Sequence, residues 1–314
     1  MRALVLAGVF VVGCNNDFEI NREVNVESFA QPARAEGVDI LWIVDDSASM
    51  FEEQAQLELH ADSFISYLSA VPVDFRLGVT STDLSVDEPG VLVGDVLSPE
   101  TPGLSDAFAA QIRHDEDGSR DEMGFEAAIL AADPDGVNSG FNRTAADLEV
   151  IFFTDEDDNS ELDALGLLEA LEAGRDGGVV VNSVVGDPPS GCASLEAAAD
   201  AGVKYIEAQE LSLGLRESIC ALDYGAMLER VALRVLGMET HFYLAKVPSP
   251  ASMEVIIDGA HIPSRERHGW QYEPGINAIV FDGYAVPRPG AEVVVRYYDW
   301  LGPAMEDDQT YVDE

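Results

Sequence analysis

The sequence predicts an α/β fold: a doubly wound, mainly parallel sheet with helices on both faces, followed by a small all-β, sandwich-like unit. Three observations lead there. Between Val38 and Leu236, strand-like apolar runs alternate with stretches of helical period. Some of those runs, "DILWIV" and "LEVIFF" among them, are apolar throughout, as strands buried on both faces must be. After Gly237 the helical period vanishes, and short β-branched or aromatic runs are separated by Gly, Pro and Asp-Gly turns.

In chain order, "MRALVLAGVFVVGC" comes before the fold. Arg2 precedes an apolar run from Ala3 to Gly13, which is short for a membrane span and the right length for a signal h-region. The run ends in Val11-Val12-Gly13-Cys14, which resembles the lipobox of bacterial prolipoproteins. That resemblance implies a leader over residues 1–13 and a diacylglycerol on the Cys14 thiol. Residues 14–37, polar and without period, suit a flexible tether.

From residue 38 the first domain begins with the buried strand "DILWIV". Leu57, Ala61, Phe64, Ile65 and Leu68 then recur at helical spacing. "FRLGVTS" reads as a strand, "EMGFEAAILAA" as a helix, and "LEVIFF" as a second buried strand. Leu162, Leu165, Leu168 and Leu171 mark a helix, and "GVVVNSVV" a strand. Leu195 to Ala201 reads as a short helix and "KYIEA" as an edge strand. Tyr224, Met227, Leu228, Val231 and Val235 close the domain at residue 236 with a helix.

Residues 237–302 form the small β domain. Met253, Val255 and Ile257 alternate with Glu254 and Asp258. Asp258-Gly259 and Asp282-Gly283 are expected to turn hairpins. Trp270, Tyr272, Phe281, Tyr297 and Trp300 supply the large side chains a small core needs. Residues 303–314 are an acidic tail.

With 314 residues and 47% hydrophobic content, the chain can bury a proper core. Its formal net charge is −42, and only two of the 17 basic residues, Lys204 and Lys246, are lysines. Such a surface repels phosphates, which argues against a nucleic-acid partner, whereas it attracts cations. With Cys14 set aside, Cys192 and Cys220 remain, and an exported pair with no other partner is expected to form a disulfide. No CxxC occurs and the five histidines show no zinc spacing.

The end of the first strand carries the chemistry. "DILWIV" runs into Asp45, Ser47 and Ser49, a D-x-S-x-S motif, and "LEVIFFT" ends in Asp155. In open parallel sheets, ligands sit at the carboxyl ends of the strands, so two strands deliver acid to one edge. Residues 38–236 thereby resemble a von Willebrand factor type A domain, in which D-x-S-x-S is the metal-ion-dependent adhesion site. "MFEEQAQLELHADSFISYL" and "VIFFTDEDDNSE" extend the similarity toward bacterial lipoproteins that carry such a domain. The resemblance implies that Ser47 and Ser49 ligate Mg²⁺ (or Ca²⁺ or Mn²⁺) directly while Asp45 and Asp155 hold its waters. The cation then accepts a carboxylate from a protein or extracellular-matrix partner.

The family's third loop usually offers a threonine; here the matching stretch is "SRDEMGFE", and Asp121 or Glu122 stands in its place. Asp157 and Asp158, which follow Glu156, read as a solvated acidic loop. An enzyme is not expected: a phosphatase of the haloacid dehalogenase type needs a second aspartate where Ser47 stands, and no G-x-S-x-G nucleophile elbow exists. The expectation is a lipid-anchored adhesion module on the non-cytoplasmic side of the bacterial envelope. The alternative is a structural envelope lipoprotein with a vestigial metal site.

Overall fold

A computed structural model describes residues 24–31, 37–113, 118–119, 121–194 and 198–300. The expected leader, the expected lipidation site Cys14 and the expected acidic tail lie outside the described residues. The elements, in order, are β1 (Val24–Ala30), β2 (Val38–Val44), α1 (Phe51–Ser69), β3 (Phe75–Ser81), α2 (Leu104–Ile112), α3 (Gly124–Ala132) and β4 (Asp147–Phe153). Next come α4 (Ala164–Glu172), β5 (Val179–Val185), the short β6 (Cys192–Ala193) and β7 (Ala198–Ala199), α5 (Val203–Leu211), β8 (Arg216–Ser218) and α6 (Tyr224–Val235). The β unit comprises β9 (His241–Tyr243), β10 (Glu254–Ile257), β11 (Ala260–Ile262), β12 (Trp270–Glu273), β13 (Ala278–Phe281) and β14 (Glu292–Tyr298).

The central sheet has the order β3-β2-β4-β5-β8, and every pairing is parallel. Strand β2 is buried along its whole length, and its side chains divide by parity. Ile40, Trp42 and Val44 join a core with Phe64 of α1, Phe108 of α2 and Met227 of α6. Leu41 and Ile43 join a second core with Phe125 of α3, Leu167 of α4 and Tyr205 of α5. Helices therefore cover both faces, as the apolar runs required. The disulfide joins Cys192 to Cys220, with Cα atoms 6.2 Å apart. By the chain-entropy estimate, closing a loop of that length contributes about 3 to 4 kcal/mol.

Two local expectations are overturned. "KYIEA" lies in α5 rather than in an edge strand: Tyr205, Ile206 and Ala208 are buried on one helical face, and Tyr205 packs 4.6 Å from Phe152, centroid to centroid. The edge position goes to β8. The stretch expected as a helix over Leu195 to Ala201 instead contributes β7, which pairs with β6 beside the disulfide. Helix α2 was not anticipated.

The β unit is a two-sheet sandwich, one sheet ordered β1-β14-β10-β11 and the other β12-β13-β9. The flexible-tether reading of 14–37 is wrong for residues 24–30, because β1 pairs antiparallel with β14 over its full length, from Val24 opposite Tyr298 to Ala30 opposite Glu292. This polar stretch hides a strand alternation: Glu27 and Phe29 are less exposed than their neighbours. The Phe29 ring meets Phe242 edge-on at 5.6 Å, and Phe242 meets Phe281 at 5.5 Å, which ties the two sheets together. Asp258-Gly259 turns the β10–β11 hairpin with both residues at positive φ, +48° and +82°. Asp282-Gly283 does not turn a hairpin; it opens a 3-10 turn at Gly283–Ala285 between the two sheets. Trp300 is 57% exposed and is no part of the core.

The boundary at residue 237 also fails as a division between independent cores. The α/β unit is inserted between β1 and β9, and one continuous apolar cluster runs from Trp42, Met227 and Leu233 to Trp270, Phe281 and Val293. Tyr67 of α1 stacks on Tyr284 at 5.1 Å while its hydroxyl donates to Glu229 of α6. A chain cut after Leu236 leaves β1 without β14 and opens this shared core. It is expected to melt well below the full chain and to lose amide-exchange protection over residues 24–30. Unchanged midpoint and protection would show two autonomous units.

Candidate metal centre at the carboxyl edge of the sheet

The register of the parallel ladder brings the site together. Val44 stands level with Ser81 of β3 and with Phe153 of β4. Asp45, Thr82 and Thr154, the next residues on three neighbouring strands, therefore leave the sheet at one height. The Asp45 amide extends the ladder by donating to the Phe153 carbonyl at 3.0 Å.

Asp45 is fully buried. One carboxylate oxygen accepts the Ser47 amide at 2.8 Å, and the other accepts the Thr154 hydroxyl at 2.6 Å. The Gln54 side chain donates to the Asp45 carbonyl at 2.7 Å, fixing the strand end to the first turn of α1. Ser47 Oγ and Ser49 Oγ lie 2.9 Å apart, and Ser49 donates to Asp155 Oδ1 at 3.3 Å. The four residues singled out from the two strand ends thus form one hydrogen-bonded network.

The structure also decides between the two candidates on the third loop. Glu122 is fully buried and accepts from the Thr82 hydroxyl, whereas Asp121 is exposed. Backbone bonds hold Glu122 in place: Met123 donates to the Thr82 carbonyl at 3.2 Å, and Asn159 to the Glu122 carbonyl at 2.7 Å. Asp157 and Asp158 do not form the expected solvated loop. Asp158 is buried, paired with Lys204 at 2.8 Å, and accepts the Phe125 amide at 3.1 Å; Asp157 accepts the Lys204 amide at 2.9 Å. These two acids clamp α3 and α5, which is why they turn inward.

Four participants escaped the sequence reading: Asp46, Glu53, Thr82 and Thr154. Thr82 and Thr154 could have been found, since each directly follows a strand that ends level with β2. Glu53 lies one helical turn before the buried Leu57, on the same face. Asp46 gave no signal beyond its neighbour.

The electrostatics of this edge are unfavourable without a countercharge. Burial first, and the Asp45 charge second, push Asp155 up from 3.8 to about 7 and Glu122 up from 4.5 to about 9. Burial, with Asp83 and Asp45 among the opposing charges, raises Asp46 to about 6. Burial likewise raises Glu53, with Glu52 and Asp45 adding to it. One oxygen each of Asp46, Glu53 and Glu122 is buried without a hydrogen-bond partner. Buried carboxylates of this kind are stabilised by a cation. The donors gathered here are hydroxyl and carboxylate oxygens, which suit a hard divalent ion. Among the described residues no three His, Cys, Asp or Glu side chains form a cage by themselves. Ligation of such an ion would use the hydroxyls as well, and with them the residues present fit it.

No family model and no curated protein matches the sequence. Among solved structures, the chain is similar to the pilus adhesin SpaC from Lactobacillus rhamnosus GG, with 12% identity and a TM-score of 0.46 over 87% of this chain and 43% of that one. It is also similar to proximal thread matrix protein 1 from the mussel byssus, with 12% identity and a TM-score of 0.45 over 70% of this chain and 52% of that one. A third is an aerotolerance-related membrane protein from Bacteroides fragilis, with 16% identity and a TM-score of 0.37 over 64% of this chain and all of that one. The chain spans about half the length, or less, of the first two. The parallel sheet with helices on both faces is the architecture that the resemblance to a von Willebrand factor A domain implied.

Because ionised Asp155 is disfavoured in the fold, replacing it by neutral Asn is expected to stabilise the cation-free chain at neutral pH. A tenfold change in the ionisation equilibrium corresponds to about 1.4 kcal/mol, so a gain of at least that order is expected for Asp155→Asn in chelator, measured by urea unfolding. A loss of stability would mean that the Ser49 hydrogen bond outweighs the charge.

Proposed function

We propose that the chain is an exported, lipid-anchored bacterial protein that binds a protein or extracellular-matrix partner through a divalent cation at this edge. The observation that carries the reading is the convergence of two hydroxyls, Ser47 and Ser49, with the buried carboxylates of Asp45 and Asp155. Ser47 and Ser49 would hold the cation directly, leaving its charge uncancelled, while Asp45 and Asp155 would orient its waters. When bound, the cation supplies a Lewis-acidic position for an oxygen of the partner, a carboxylate in the simplest case. With the seryl hydroxyls assigned to the cation, the reading is of binding rather than catalysis. The lipobox-like "VVGC" supports an anchor at Cys14 and a place on the non-cytoplasmic side of the envelope. Among the described residues no helix is long and apolar enough to cross a membrane.

Calorimetric titration with Mg²⁺, Mn²⁺ and Ca²⁺ tests the site. The parent chain is expected to bind and to gain thermal stability with cation concentration. Ser47→Ala combined with Ser49→Ala should lose both responses with the fold intact. Equal affinity in parent and double variant overturns the ligand assignment, and no binding in the parent favours the vestigial alternative. Cys14→Ser should release the protein from the membrane fraction; retention there would place the anchor elsewhere.

A further inference from the structure

Resting on the reading of Cys14 as the lipid anchor, the fold itself sets how close the protein sits to its membrane. We propose that the outer face of β1 and β14, at the end where β1 begins, docks on the headgroup layer of a zwitterionic lipid bilayer.

The pairing of β1 with β14 shortens the link to the anchor. Val24 already belongs to the sheet, opposite Tyr298, so ten peptide steps separate Cys14 from the fold, and they span at most about 36 Å. A folded body of this size is roughly 45 Å across, longer than the link, so the end of the sandwich that carries Val24 faces the bilayer.

That end is apolar on one face. Val24 and Val26 point away from the second sheet, on the side opposite to Glu27 and Phe29. Across the ladder, Tyr298 stands opposite Val24 and Arg296 opposite Val26. On the other side of β14 the pairing continues past Tyr298: Pro248 bridges Asp299, and the Trp300 amide donates to the Val247 carbonyl at 2.9 Å. Strand alternation therefore puts Trp300 and Val247 on the face of Val24, Val26 and Tyr298. Val24, Val26, Val247 and Trp300 are 48%, 60%, 51% and 57% exposed, so little of the protein covers them.

The reverse side of the same strand ends is polar and tied. Asn25 donates to Asp299 at 2.6 Å, and Lys246 reaches Asn25 at 2.9 Å and Asp299 at 3.3 Å. These bonds hold the apolar face in place where the anchor joins it. Trp and Tyr beside aliphatic side chains suit the headgroup level of a bilayer, which is apolar below and wet above. The net charge of −42, and the acids of "EDDQTYVDE" that follow Trp300 in the chain, disfavour an anionic lipid. The contact is therefore apolar and the lipid zwitterionic. The height of the protein above its membrane is then set by the fold and not by the link.

Trp300 reports this contact directly, because the other two tryptophans, Trp42 and Trp270, are buried. With Cys192 and Cys220 joined, Cys14 is the single free thiol of the chain. The chain from residue 14 onward, which contains every described residue, is coupled through Cys14 to phosphatidylcholine vesicles carrying a trace of maleimide-bearing phosphatidylethanolamine. The phosphatidylcholine is either plain or brominated near the headgroup. Trp300 emission is expected to shift to the blue on coupling and to lose most of its intensity against brominated lipid, equally at low and high salt. Val26→Glu, at an exposed position, should leave the circular dichroism unchanged and abolish both responses. Coupled parent protein that brominated lipid does not quench, or quenching that survives Val26→Glu, would overturn the docking face; quenching lost at high salt would overturn its apolar basis. A blue shift that grows with protein concentration in the uncoupled chain, without lipid, would give the face to a second copy instead. Because the coupling is chemical, these outcomes do not depend on lipidation in the cell, which the membrane fractionation of Cys14→Ser tests separately.

Discussion

The buried carboxylate of Asp45 is the point on which the site depends. It ends the central strand of the sheet, and its two oxygens accept from the Ser47 amide and the Thr154 hydroxyl while its carbonyl accepts from Gln54. Those bonds set the turn that presents Ser47 and Ser49, and they join β2 to β4 and α1. Its charge also opposes those of Asp46, Glu53, Glu122 and Asp155. One buried charge thus shapes the turn and opposes the other acids of this edge.

The protein's few bases emphasise the contrast. Arg143 pairs with the buried Asp39 and with Asp74 at the opposite, amino end of the sheet. Lys204 pairs with Asp158 between α3 and α5, and Arg230 with Glu217 at β8. Each of these bases satisfies an acid that has a structural duty. The principal charges acting on Asp46, Glu53, Glu122 and Asp155 are instead other carboxylates. The acids are thus paired with bases at these positions and opposed by one another at the carboxyl edge of the sheet.

The β unit is joined to the α/β unit by covalent order and by packing. Because β1 precedes the α/β unit and pairs with β14 at the other end of the chain, the β unit closes only when both flanks are present. The stack of Tyr67 on Tyr284 and the shared apolar cluster fasten α1 and α6 to it. Helix α1, whose first turn holds Asp45 through Gln54, is thereby packed against the β unit.

The sequence by itself determined the α/β class, the strands β2, β4 and β5, the sandwich, the disulfide pair, and the meeting of Asp45, Ser47, Ser49 and Asp155. Those features rest on local pattern: continuous apolar runs, helical period, and acids placed directly after strands. Only the tertiary structure decided the rest. It chose Glu122 over Asp121, because side-chain direction at a loop depends on which neighbour supplies a hydroxyl, here Thr82, 40 positions away. It turned Asp158 inward, because Lys204 and the Phe125 amide of α3 lie there. It made a strand of residues 24–30, whose partner β14 lies more than 260 positions away. Such choices are fixed by contacts between residues remote in sequence, and no local window contains both partners.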